Sequence, residues 1–127
     1  MAVSEEIQEW LDKADEDWRV AEILLRSGEE LTLPCMFHLQ QMLEKLLKAL
    51  IIARGRRIER THDLDRLAQQ SEALEIEGLL NLCDTLTIFA VNGRYPGDLP
   101  EVSIREARSY CTLAEEIGKQ LVQRITE

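Results

Sequence analysis

Residues 54–60 hold four arginines, Arg54, Arg56, Arg57 and Arg60, against one glutamate, although the whole chain carries a net charge of −9. Guanidinium groups grip phosphate oxygens through paired N–H donors, so this basic spot suits a small phosphate-bearing ligand or a short RNA. An extended duplex is a poor partner. Residues 1–30 hold ten acidic and three basic residues, and phosphate attraction supplies most non-specific affinity for a duplex. A second constellation lies just upstream, where His38, Gln41, Glu44, Lys45 and Lys48 fall within three turns of one helix. On residue types alone this is a solvated helix face, with Glu44 and Lys48 an ordinary i,i+4 pair contributing a few tenths of a kcal/mol.

Other chemistries lack their residues. A di-iron bundle needs two inward-facing Glu-x-x-His motifs, and only Glu59-Arg60-Thr61-His62 matches, across a loop. The acids Glu5, Glu9, Asp12, Asp15, Glu16 and Glu22 have no histidine companions and read as a solvated face, so no metal site is expected. There is no Gly-x-Ser-x-Gly elbow, no phosphate loop and no dinucleotide-binding turn, and no cofactor is expected. Cys35, Cys83 and Cys111 are odd in number, far apart and set among apolar positions, which predicts buried free thiols.

The elements that must position these groups are helices. Ile7, Leu11, Ala14, Trp18, Ala21 and Leu25 recur at spacings of four and three, predicting a helix from about Ser4 to Ser27 before Gly28. Met36, Leu39, Leu43, Leu46, Leu50 and Ala53 predict a long second helix from about Pro34 to Arg54, ended near Gly55. Thr61 is placed to cap a short helix starting at His62-Asp63-Leu64 and fading near Ser71, with His62 and Asp63 helping to fix its start. A fourth helix is expected through Ile76, Leu79, Leu80, Cys83, Leu86 and Ala90, then a loop over Asn92 to Pro100. Ser103 and Glu106 form a capping box ahead of Ala107, Cys111, Ala114, Gly118, Leu121 and Ile125. The sum is all-α: an up-and-down four-helix bundle with one additional short helix, residues 1–127 forming a single domain. With no long apolar span and an acidic beginning, the chain reads as cytoplasmic, without membrane association.

The run Phe37-His38-Leu39-Gln40-Gln41-Met42-Leu43-Glu44-Lys45-Leu46-Leu47-Lys48-Ala49-Leu50, followed by Thr61-His62-Asp63-Leu64, resembles the HEPN family of small helical proteins. The likeness extends through the Trp18 region to the Arg94-Tyr95-Pro96 loop and the last helix. It implies a homodimer, a minimal nucleotidyltransferase as partner in a toxin–antitoxin type of arrangement, and members that bind nucleotides or cleave RNA without metal. Ribonuclease members of the family carry an arginine and a later histidine with four to six residues between them. Here four residues separate Arg57 from His62 and five separate Arg56 from it, whereas no histidine follows His62 near the last helix. The leading expectation is a HEPN-like nucleotide-binding module using Lys45, Lys48, Arg54, Arg60 and Arg94. The alternative is a metal-independent endoribonuclease in which His62 moves a proton at the ribose 2′-oxygen or leaving oxygen while Arg57 or Arg56 steadies the phosphate. A third reading is a non-catalytic interaction module whose acidic first helix meets a basic protein.

Overall fold

The computed structural model describes residues 3–90 and 97–127. Its first helix, α1, spans Glu5–Arg26. The Ser4 side chain accepts from the Ile7 N–H at 3.2 Å, and Glu5 and Glu6 complement the positive end of the helix dipole. The second, α2, spans Thr32–Ala53 and begins two residues earlier than Pro34 marks. Pro34 is then the third helical residue, still in the first turn, where a missing N–H removes no helical bond.

The end of α2 directs the arginine-rich connection. Gly55 takes φ +74°, a conformation an L side chain resists, so the chain can reverse there. The Gly55 N–H donates to the Ile52 carbonyl at 2.9 Å and the Arg56 N–H to the Ile51 carbonyl at 3.0 Å. These are the two bonds of a Schellman motif, and they close α2 against water.

Helix α3 covers Leu64–Ser71, capped by Asp63 rather than Thr61: the Asp63 carboxylate accepts from the N–H groups of Asp65 and Arg66. Thr61 instead accepts from the Asp63 N–H at 3.1 Å, one step outside the helix. The fourth helix is shorter than its apolar pattern suggests. α4 covers Leu79–Leu86 and passes into a 3-10 turn at Thr87–Phe89. Gly78, at φ +83°, breaks the helical path between Ile76 and Leu79. The last helix, α5, spans Ile104–Thr126 behind the expected capping box, in which Glu106 and Ser103 exchange bonds of 3.0 and 3.2 Å.

Helix α2 is the axis of the bundle. α1, α3, α4 and α5 all pack on it, and 14 of its residues are buried, so its burial extends well beyond one stripe. All five helices contribute to one apolar cluster around it. The architecture is all-α, a helical bundle with an additional short helix. Among the described residues no helix is long and apolar enough to cross a membrane.

Candidate functional site

Burial of α2 on most sides changes the character of its polar residues. Glu44 and Lys48 are not solvated: their side chains are 6% and 10% exposed and meet at 3.1 Å. The expected surface pair is therefore an interior one. Glu44 lies on the flank of α2 beneath the connection that follows Gly55, and its Oε1 is 2.8 Å from the Nδ1 of His62. Gln40, one turn earlier, donates to the same oxygen at 3.2 Å and to the His62 backbone carbonyl at 3.4 Å. Gln41 donates to the Gln40 Oε1 at 2.7 Å, which leaves the Gln40 amide nitrogen aimed at the loop. Side chain and main chain of His62 are thus both tied to α2, while the imidazole remains 65% exposed.

The electrostatics favour an ionised Glu44. Burial alone would push its carboxyl up, but hydrogen bonds from His62, Gln40 and Lys48, together with the charge of Lys48, hold it below its usual range. An ionised carboxylate only accepts, so Nδ1 of His62 carries the donated proton and Nε2 is left as the ring's base when the imidazole is neutral. Behind this pair the Lys48 ammonium sits 5.8 Å from the centroid of the Trp10 ring on α1, which contributes a cation–π attraction.

A second group repeats the pattern one and a half turns back. Asp17 on α1 is buried; its Oδ1 is 2.8 Å from Nδ1 of His38, and its Oδ2 accepts from Lys45. Each buried carboxylate therefore serves one histidine and one lysine. The sequence reading missed Asp17 and Gln40. Asp17 was marked by spacing, three residues after Ala14 and four before Ala21, which places it on the core-facing side of α1.

The arginines divide. Arg56 pairs with Glu72 and donates to the Gln70 carbonyl at 3.3 Å, and Arg54 approaches Glu72 at 3.8 Å. Glu59 is taken by Arg66. Arg57 and Arg60 are exposed and form no ion pair among the described residues. Of the residues expected to bind phosphate, the structure brings His62 to Glu44, holds Lys45 and Lys48 on carboxylates, and sets Arg54 and Arg56 against Glu72. Arg94 lies outside the described residues.

The three cysteines are free and buried. Burial pushes the Cys35 thiol up to about 11 and those of Cys83 and Cys111 up to about 12, so thiolate chemistry is suppressed. Among the described residues no group of three or more histidine, cysteine, aspartate or glutamate side chains could hold a metal ion.

Fold and site together define a small all-α bundle whose central helix presents a buried carboxylate to an imidazole on the following loop. The family model described as HEPN domain matches residues 7–125, and the chain belongs to that family. It is similar to the crystal structure of TT1696 from Thermus thermophilus, with 25% identity, TM-score 0.79, and 95% of this chain and 99% of that one covered. A second similar structure, ST0689, described as an archaeal HEPN homologue, shares 22% identity and the fold at TM-score 0.75, covering 94% and 97% of the two chains. No curated protein matches the chain.

Proposed function

We propose that this chain binds the phosphate of a nucleotide or short RNA at the loop surface carrying Arg57, Arg60 and His62. One observation carries the reading: the exposed imidazole of His62 is fixed by the buried Glu44 at 2.8 Å, in the same loop as two exposed arginines outside the ion pairs of the described residues. Lys45 and Lys48 then act from behind, holding carboxylates rather than touching ligand. Calorimetry against ATP and AMP at low salt tests this. Saturable binding is expected, weakened about tenfold or more in Arg57→Ala or Arg60→Ala, because a charge-assisted bond to phosphate is lost. Absence of binding by the wild type would leave a protein-interaction module as the reading.

The Glu44–His62 pair also favours a second reading, metal-independent RNA cleavage. Nε2 of a neutral His62 would take the proton of a ribose 2′-hydroxyl, the 2′-oxygen would form a bond to phosphorus, and the P–O5′ bond would break, leaving a 2′,3′-cyclic phosphate. Arg57, five residues upstream, would steady the charged phosphate, and the imidazolium or water would protonate the 5′-oxygen. Incubation with RNA in excess chelator, compared with His62→Ala, decides it: equal cleavage by the variant, or none by the wild type, removes the reading. In keeping with the family, we place the chain beside a minimal nucleotidyltransferase in a toxin–antitoxin pair. Joint elution of the two purified proteins is expected, and separate elution removes the pairing.

A further inference from the structure

Phe37 and Glu44 lie almost in line along α2, since seven residues come within about 20° of two full turns. Gln41 and Lys48 repeat that spacing about 40° around the helix, and the four make one stripe. Its two ends differ. At the C-terminal end Glu44 and Lys48 are buried, with His62 bonded to Glu44. At the N-terminal end Phe37 and Gln41 are only half-buried. His62 is tied to Gln40 and Glu44, which stand about 4.5 and 10.5 Å along α2 from Phe37. One nucleotide covers that span between its phosphate and its base.

The uncovered end holds two groups that the fold leaves unused. Phe37 lies outside the apolar cluster of the bundle, and among the described residues the one aromatic ring against it is that of His38. The two rings meet at 82° with centroids 5.2 Å apart, and such a T-shaped pair takes up at most one face of the phenyl ring. His38 is itself fixed on Asp17, so it steadies Phe37 from the side. Gln41 donates to Gln40, but its own carbonyl oxygen accepts no hydrogen bond among the described residues and is not shut away from water.

We propose that this end of the stripe is a nucleobase subsite, formed by Phe37 and Gln41. It rests on the phosphate site proposed above. With the phosphate at Arg57, Arg60 and His62, the base stacks on the open face of Phe37, and the Gln41 carbonyl oxygen accepts from an amino group on the base edge. Aromatic platforms hold any base through its π-face, and the amide adds selectivity. Adenine, which carries such an amino group, is therefore preferred to hypoxanthine, which has a carbonyl in its place.

Calorimetry on the full chain with AMP, IMP and ribose 5-phosphate tests the proposal, because the last ligand has the phosphate and no base. AMP should bind at least about fivefold more tightly than ribose 5-phosphate, the gain expected of one stacked base. Phe37→Leu, which keeps an apolar side chain without a ring, should bring AMP down to the ribose 5-phosphate level and leave the latter unchanged. Phe37→Trp should tighten AMP alone, a gain that misfolding cannot imitate. Arg57→Ala should weaken both ligands by the same factor. AMP should exceed IMP by about fivefold, and Gln41→Leu should erase that preference. Ribose 5-phosphate binding as tightly as AMP, or Phe37→Leu weakening both alike, would overturn the subsite and leave the phosphate site standing. Equal affinity for AMP and IMP would overturn the role of Gln41. Absence of binding by all three would remove the phosphate site and the subsite together.

Discussion

Replacing Glu44 by Gln keeps the shape of the side chain and removes its charge. The Lys48 ammonium, 10% exposed, would lose its counter-ion, and the bonds from Gln40 and His62 would meet a neutral amide. Breaking a buried ion pair from one side commonly costs about 3–5 kcal/mol because the surviving charge is stranded. Lys48 also faces Trp10 and retains slight access to water, so a loss of about 3 kcal/mol is expected, or roughly 10 °C in melting temperature. Urea titration followed by circular dichroism at pH 7 reads the loss. The double variant Glu44→Gln/Lys48→Met should return to within about 1 kcal/mol of wild type, since the pair is then removed together. The pH dependence has a definite sign. The folded-state pKa of Glu44 lies below the unfolded one, so over that interval the unfolded chain binds more protons. Wild-type stability from this group is present above the unfolded value and is lost as pH falls through the folded one, and the penalty of Glu44→Gln shrinks over the same range. A cost below about 1 kcal/mol at pH 7, or no coupling between the two substitutions, would refute the account of an interior ion pair.

Two further predictions concern groups away from the loop. A hydrogen bond with Asp84, then burial and the charges of Asp84 and Asp63, push the Asp65 carboxyl up to about 6. Here the folded chain holds the extra proton, so stability should fall as pH rises from about 4 to about 6, and Asp84→Asn should flatten that fall and stabilise the protein at pH 7, as read by thermal melts. The buried thiols should resist a colourless-to-yellow disulfide reagent at pH 8 until denaturant is added; labelling of any of the three in the native state would contradict their burial.

Periodicity revealed the large elements well because each long helix repeats its apolar spacing over several turns. The capping box at Ser103 and the stop at Gly55 were local signals, and both appear where expected. The fourth helix was overextended because Ile76, Leu79 and Cys83 keep helical spacing across Gly78, whose backbone conformation interrupts the path. The site was less legible for a physical reason: a polar residue on α2 looks the same in sequence whether water or another helix covers it. Glu44 and Lys48 are i,i+4 neighbours in either case, and only the packing of α1 and the return of the loop decide that they are buried. His62 was singled out, but its partner lies 18 residues away on another element, a separation that spacing along one helix cannot reveal.

The duplication of carboxylate, histidine and lysine has a spectroscopic consequence. The chain contains two histidines, and each ring faces a buried carboxylate through Nδ1. A ¹H–¹⁵N spectrum of the ring nitrogens should therefore hold just two imidazole patterns. The His38 pattern reports on the α1–α2 interface and the His62 pattern on the loop. The molecule thus carries, without any label, one internal reference and one sensor, and a ligand reaching the arginine-rich surface should shift the second signal while leaving the first in place.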